Sequence, residues 1–201
     1  DLTLSLGEID IARLHRFWPQ GMPPEAIAWL DRSLNGGRIA SGGVLMRGPV
    51  DQWPFLEKQG RFEVTADVRD ARMDYVPGWP EMVNGNVEAR FEGASMFIEG
   101  TAEVAGIETP LARAEIADLR DPLLVITARG QANDREAINF LRISPLGDLY
   151  GDYLQNIDIQ GPVGVDLRLD IPLGSMQLVS HLQVICNVRV VFLPQHHETL
   201  S

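Results

Sequence analysis

Residue types that commonly perform enzymatic chemistry are few and scattered in this sequence. Before residue 176 there is one histidine, His15, and it is followed by Arg16, Phe17 and Trp18. A general acid or base needs a reacting partner within hydrogen-bond reach, and a single histidine beside aromatic residues is more often structural. The acidic residues Asp148 and Asp152 could supply paired carboxylates, but 28 acidic residues produce such spacings by chance. These residues therefore predict no catalytic centre.

Metal and phosphate chemistry is not predicted either. His196–His197 is an adjacent pair, not an i, i+4 pair, and the only cysteine, Cys186, excludes a cysteine-based zinc site and an internal disulfide. Gly36–Gly37 and Gly42–Gly43 lack the Lys and Ser or Thr that complete a phosphate-binding loop. No G-x-S-x-G nucleophile motif is present. We therefore predict a protein that is not an enzyme and that uses no cofactor or metal ion.

Charge and hydropathy exclude further functional classes. The formal net charge is −11, from 17 basic and 28 acidic side chains, whereas nucleic-acid binding needs a basic surface that displaces counterions. We therefore predict no nucleic-acid partner. No apolar run approaches the roughly 20 residues of a membrane-spanning helix. The chain opens at Asp1 directly into alternating apolar positions, so we expect a segment of a longer protein.

The elements that would position functional groups begin with a helix expected at 23–34. Pro23 and Pro24 suit its first turn, and Asn35-Gly36-Gly37 is expected to end it, because these residues tolerate left-handed backbone. The spacing i, i+3, i+7 predicts that its buried face consists of Ile27, Leu30 and Leu34.

A second short helix is expected at 134–142. Asn133 is a candidate N-cap, and Glu136 stands in the position that completes a capping box. The predicted apolar stripe consists of Ala137, Phe140 and Leu141.

Most of the remaining chain alternates between apolar and polar residues, which predicts strands. The clearest example is 163–171, and residues 1–11 alternate with a change of phase near Gly7. Turns are predicted at Asn84-Gly85, Glu92-Gly93 and Ala105-Gly106, at spacings typical of an antiparallel meander. We therefore predict a mostly β fold whose sheet has one apolar and one charged face, with the two helices covering part of the apolar face. The rest of that face is either a closed sandwich core or an open groove.

Three clusters combine aromatic residues with proline, which fixes a large apolar group at a rigid turn. We interpret them as structural plugs at the ends of the sheet rather than as ligand contacts. The clusters are Phe17-Trp18-Pro19, Trp53-Pro54-Phe55 and Pro77-Gly78-Trp79-Pro80.

The composition changes near residue 175. Residues 176–201 contain the only cysteine, three of the four histidines and one acidic residue, Glu198. We predict that residues 1–175 form the β-rich segment and that 176–201 are an atypical tail, not native to the fold, although Val188 to Leu193 could add a strand.

Six motifs, taken in order, resemble the central region of the YhdP-type AsmA-like proteins of the Gram-negative envelope. The resemblance covers about residues 1–173, and the tail departs from it. The motifs are R-F-W-P with the helix at 23–37, R-G-P-V-D-Q-W-P-F at 47–55, G-R-F-E-V at 60–64, M-D-Y-V-P-G-W-P at 73–80, A-E-I-A-D-L at 114–119 and F-L-R-I-S-P-L at 140–146.

The resemblance implies a curved antiparallel sheet, shaped as a trough or half-barrel, in a long periplasmic protein. Such a protein is anchored in the inner membrane by a helix outside this segment and is similar to bridge-like lipid-transfer proteins. The implied cargo is phospholipid moving between the inner and outer membranes, with its acyl chains in the trough. Other envelope proteins are further candidate partners, and the family has no catalytic residues to carry over.

Candidate lipid-contacting residues are apolar positions of the predicted strands, for each of which core packing is at least as good an explanation. They are Val64, Val68, Val87, Phe91, Ile98, Val104, Ile116, Val125, Val165, Leu167 and Leu169.

Two alternatives to lipid transport remain open. One is a structural or protein-interaction β module of the cell envelope with a closed core and no lipid cargo. The other is a carbohydrate-binding or carbohydrate-acting β domain, which would need Trp18, Trp53 or Trp79 on an exposed platform with nearby acids.

Overall fold

The structure is a computed structural model that describes residues 1–16, 24–49, 55, 59–154, 161–173 and 185–192. Within these residues ten strands form one antiparallel sheet, accompanied by three α-helices and one 3-10 helix. The mostly β, antiparallel prediction is therefore confirmed. The sheet is open, because the strands at its two edges do not pair with each other in the described part of the chain.

The strands follow one another across the sheet nearly in chain order. The spatial order is β1-β3-β4-β5-β6-β7-β8-β9-β10, and β2 pairs with β3 on the same side as β1. The strands are β1 (Leu2–Leu6), β2 (Ile9–Asp10), β3 (Leu34–Arg47), β4 (Arg61–Met73), β5 (Met82–Glu92), β6 (Ser95–Val104), β7 (Ile107–Ile116), β8 (Leu123–Ala132), β9 (Val163–Pro172) and β10 (Ile185–Phe192). The helices are the 3-10 helix (Ile11–Arg16), α1 (Pro24–Ser33), α2 (Asp134–Ile143) and α3 (Pro145–Leu154).

The register separates the residues into two faces. Directly paired residues share a face of a sheet, and one row of such pairs is apolar across six strands: Val64, Phe91, Met96, Ile116, Leu124 and Ile171. We call this side the apolar face. The intervening positions form the charged face, where cross-strand ion pairs join Arg113 to Glu99 at 3.2 Å and Arg129 to Asp166 at 3.0 Å.

The predicted turns have two different outcomes. Ala105 and Gly106 both have positive φ, 55° and 86°, as a two-residue hairpin turn requires, and the chain also turns after Glu92. The turn predicted at Asn84-Gly85 is wrong, because both residues lie inside β5. Asn84 has φ 53° beside a register shift, and a left-handed residue accommodates a β-bulge as well as a turn.

Irregularities in the register lie side by side across β3 to β7. Neighbouring pairs of strands are shifted near Gly36, between Val68 and Ala71, between Val83 and Asn86, and after Gly100. A Cβ added at Gly100 would lie 2.1 Å from the Asn86 carbonyl oxygen. Because bulges bend strands and increase their twist, this row bends the sheet.

Helix α1 begins and ends within one residue of its prediction, and its predicted apolar face is confirmed in part, because Leu30 packs against the buried cluster that contains Trp29. Its buried residues are Ala26, Trp29 and Ser33. The indole Nε1 of Trp29 donates a hydrogen bond to the Tyr75 carbonyl oxygen at 3.1 Å, which fixes the orientation of the helix. Leu34 already belongs to β3.

Helix α2 is confirmed with its predicted capping box. The Asn133 side chain accepts from the Glu136 backbone N–H at 3.0 Å, and the Glu136 carboxylate accepts from the Asn133 N–H at 2.9 Å. Helix α3 and the 3-10 helix were not predicted. Gly147 and Gly151 lower the helix propensity of α3, although Pro145 suits its first position.

Part of the compositionally distinct tail belongs to the sheet. Strand β10 pairs with β9 from Ile185 opposite Asp170 to Phe192 opposite Val163. The division of the chain at residue 175 remains a prediction. The rest of the tail, and the clusters Phe17-Trp18-Pro19 and Trp53-Pro54, lie outside the described residues.

Candidate functional site

The apolar face is divided into two regions, a covered half and an open half. In the covered half, on β6 to β9, Ile116 is 4%, Leu124 2% and Leu169 0% exposed. These residues form one buried cluster with Trp29 of α1 and with Tyr75 in the loop between β4 and β5. This half is therefore a packed core.

A second buried cluster lies beneath α2. It joins Ala137 and Phe140 of the helix to Ile107, Ala132 and Val163 of the sheet. Trp79 packs against both clusters, and its ring centroid is 6.0 Å from that of Phe140 at an interplanar angle of 55°. This position agrees with the structural interpretation of the Pro77-Gly78-Trp79-Pro80 cluster.

The open half lies on β1, β3 and β4. Leu2 is 44% and Leu4 48% exposed, and the neighbouring apolar side chains are only half-buried. Among the described residues, neither buried cluster includes any of its members. We define the open half as Leu2, Leu4, Leu6, Val44, Met46, Phe62 and Val64. The register makes these residues contiguous across three strands.

The opposite face is hydrated and ion-paired. Arg69 contacts Asp67 at 2.9 Å and Arg168 contacts Asp170 at 3.1 Å. Exposed pairs of this kind contribute little to stability. Their consequence here is a surface rich in charge, on which Phe97, Leu111 and Leu123 are also exposed.

Two ion pairs shift the pKa values of exposed carboxyl groups. Hydrogen bonds from the Arg120 side chain and backbone lower the pKa of Asp118 to about 2, and hydrogen bonding by Arg72 lowers the pKa of Glu81. Asp118 has Arg120 as its partner, and Glu81 has Arg72 and Asn35, so both shifts arise from pairing at the surface rather than from polar groups that converge in a cleft. They therefore do not indicate an acid–base site.

The structure places the eleven candidate lipid-contacting residues unevenly. Ile116 and Leu169 are buried in the covered half, and Phe91, Ile98 and Leu167 pack against the same cluster.

Val104 and Val165 pack against the cluster beneath α2. Val64 belongs to the open half, whereas Val68 and Val87 pair with each other between the two halves. Lipid contact itself remains a prediction for all of them.

Val125 differs from the other candidates, because it lies on the charged face, opposite Glu115 and Asp170, and the sequence pattern did not separate it from them. The cause is the continuous apolar run Leu123–Ile126, which hides the period of two. The prediction also omitted Leu2, Leu4 and Phe62, although the alternation at residues 1–6 was visible.

The described ranges contain no group of three or more His, Cys, Asp or Glu side chains that could hold a metal ion. None of the helices in the described ranges is long and apolar enough to span a bilayer.

Together the fold and this face define a class of protein: an open-sheet β protein that presents a broad apolar surface on one side and a charged surface on the other. The YhdP protein family matches residues 1–182, and the chain therefore belongs to the YhdP family. This confirms the resemblance found in the sequence motifs.

A named relative is the intermembrane phospholipid transporter YhdP of Escherichia coli strain K12. It is 25% identical to this chain over 195 residues, which cover 96% of this chain and 15% of the relative. The chain thus corresponds to a small part of that protein's length. No solved structure matches the chain.

Proposed function

We propose that this chain is a segment of a bridge-like protein that moves phospholipid between membranes, and that the open half holds the acyl chains. The observation that carries this proposal is the contiguous apolar surface that runs from Leu2 and Leu4, both exposed, to Val64, and whose residues belong to neither buried cluster. Contiguous exposed apolar patches commonly mark binding sites. The family membership, and the name of the relative as an intermembrane phospholipid transporter, support the same cargo.

The chemistry of the open half suits a sliding ligand. Each methylene transferred from water to an apolar surface contributes about 0.8 kcal/mol, and the attraction is non-directional. When an acyl chain moves along the face, it exchanges one set of apolar contacts for an equivalent set. The face therefore retains an acyl chain without fixing its position.

The charged face suits an aqueous compartment. We propose that the segment lies in the periplasm, within a parent protein anchored in the inner membrane outside this segment, and that it acts as a carrier rather than as an enzyme. Its partners would be phospholipid acyl chains and other envelope proteins. The ion pairs of the charged face, such as Arg129 with Asp166, are compatible with constant contact with water.

A structural or protein-interaction module is the second candidate, and the covered half favours it. Leu124, Leu169 and Ile171 are packed as in an ordinary core. The closed sandwich expected for such a module would need two facing sheets, whereas the described strands belong to one sheet. A folded chain that carries no lipid would favour this candidate.

The test is native mass spectrometry with lipid extraction on the 201-residue chain purified from a bacterial envelope fraction. Val64→Asp places a charge in the open half, and Thr65→Asp places the same charge on the other face, opposite Arg90. Because a buried charge opposes hydrocarbon contact, we expect bound phospholipid in the wild type and in Thr65→Asp, and its loss in a still-folded Val64→Asp.

Two results would contradict the proposal. One is a folded wild-type chain that carries no phospholipid and takes up none from vesicles. The other is equal phospholipid retention by both variants, which would place the lipid elsewhere on the molecule.

A further inference from the structure

Helix α2 is attached to the sheet through apolar contacts alone in the part of the chain that the structure describes. Its cap hydrogen bonds all join residues between Asn133 and Gly147, and no ion pair there involves the helix. Its contacts with β8 and β9 come from the cluster around Ala137 and Phe140. Apolar contacts have no required geometry, so another apolar group can replace them.

Helix α1 is held differently. The Trp29 indole donates to the Tyr75 carbonyl at 3.1 Å, and the Asp74 N–H donates to the Ser33 carbonyl at 2.8 Å. Moving α1 would leave buried polar groups without partners. The two helices therefore differ in what their displacement would break.

Helix α2 also has what it needs to remain helical when it moves. The capping box between Asn133 and Glu136 satisfies its first turn without help from the sheet. Its other face is hydrated, because Asp134, Arg135 and Asn139 are exposed. An amphipathic helix with its own cap can shift as a unit.

The packing beneath α2 is incomplete. A pocket of about 30 Å³ lies beside Phe140 at the surface of the sheet, where it is lined by Val104, Ile107, Val165 and Leu167. This space holds roughly one water-sized group and is apolar. An acyl chain does not fit unless Phe140 leaves.

We propose that α2 is a displaceable cover over a second acyl-chain position, in which a phospholipid chain takes the place of Phe140 against β6 to β9. The inference rests on the proposed function and adds a site that opens only when the helix moves. Val165 and Leu167, candidate contacts from the sequence, then become lipid contacts in the displaced state and core residues in the covered state.

Photo-cross-linking tests this site. The photoreactive residue p-benzoylphenylalanine replaces Phe140 beneath the helix, Asn139 on its exposed side, or Phe62 in the open half, and each full-length chain is irradiated with vesicles of phosphatidylethanolamine and phosphatidylglycerol. We expect phospholipid adducts at 140 and 62 and only background at 139.

The pattern of adducts separates the two proposals. Adducts at 62 with background at 140 would overturn the cover and leave the proposed function intact. Background at both positions would overturn both proposals, because neither half would then contact lipid.

Hydrogen exchange of the unmodified chain gives a second test that needs no substitution. If α2 is displaced, the capped helix loses the apolar packing that suppresses its local opening, and a ten-residue helix without that packing is only marginally stable. Loading with the same vesicles should therefore speed amide exchange in Ala137–Leu141 by about tenfold. The amides of α1 should keep their rates. Unchanged exchange in α2 on a chain that carries lipid would overturn the proposal.

Discussion

The covered and open halves of the apolar face have the same sequence pattern and different surroundings. In the covered half, Leu124 and Ile171 are 2% and 0% exposed beneath residues of α1 and the loop after β4. In the open half, Leu2 and Leu4 alternate in the same way and are 44% and 48% exposed. Both regions belong to one sheet.

The difference between the two halves shows that alternation determines which face a residue belongs to, but not whether that face is covered. The cover is built from residues distant in sequence: Trp29 reaches Tyr75, 46 positions away. A substitution in one half should therefore act on stability, and the equivalent substitution in the other half should act on ligand binding.

Introducing a charge should produce the largest difference in stability between the two halves. Leu169→Asp should destabilise the fold by about 4 kcal/mol or more, because Leu169 is fully buried and an unpaired buried charge is very costly. Val64→Asp should change the free energy of unfolding by less than about 1 kcal/mol, because Val64 is only half-buried. Urea denaturation followed by circular dichroism measures both, and equal losses would remove the distinction between the halves.

Truncating a leucine to alanine should also cost more stability in the covered half than in the open half, but by a smaller difference. Leu124→Ala should lose about 2–5 kcal/mol, since it deletes buried methyl groups and leaves a cavity. Leu4→Ala should lose less than about 0.5 kcal/mol. The midpoints of chemical unfolding report both values, and a large loss for Leu4→Ala would indicate that β1 is covered in solution.

The hydrogen bond that holds α1 should contribute less to stability than the buried side chains of Leu169 and Leu124. Trp29→Phe keeps an aromatic ring but removes the donor to the Tyr75 carbonyl, so we expect a loss of about 1–2 kcal/mol. Hydrogen exchange should speed in α1 and remain unchanged in α2. A Trp29→Phe protein with wild-type stability and exchange would show that apolar contact alone holds α1 as well.

The smallest effect is expected at the Asp118–Arg120 pair, which lies in the loop between β7 and β8. Its ion pair lowers the folded-state pKa of Asp118 from 3.8 to about 2, so its contribution to stability is present above the unfolded pKa and is lost as the pH falls through about 2. The carboxyl carbon resonance of Asp118 should titrate near 2 in the wild type and at a higher pH in Arg120→Gln, which loses the side-chain hydrogen bonds and keeps the one from the backbone N–H. Identical midpoints in the two proteins would contradict the pairing.

The fold was largely predictable where local patterns agree with tertiary contacts. The alternation of Val163 to Ile171 produces β9, and the capping box of Asn133 and Glu136 begins α2 as expected. The failures have a tertiary cause. On α1 the spacing of apolar residues did not show that Trp29 is buried with a hydrogen bond to Tyr75, and Asn84 forms a bulge because β5 continues past it.

The candidate site was predictable only in part. The faces of Val64 and Phe91 follow from the period of two, whereas Val125 lies within a continuous apolar run that has no visible period. The division into covered and open halves depends on where α1 and the loop around Tyr75 pack. No local pattern in the strands contains that information.

Methyl NMR of the chain with a spin-labelled phospholipid tests the central claim most directly, because it observes both halves at once. The account predicts that methyl signals of Leu4, Val44 and Val64 broaden while those of Leu124 and Ile171 keep their intensity. Equal broadening in the two halves, or none in the open half, would contradict it.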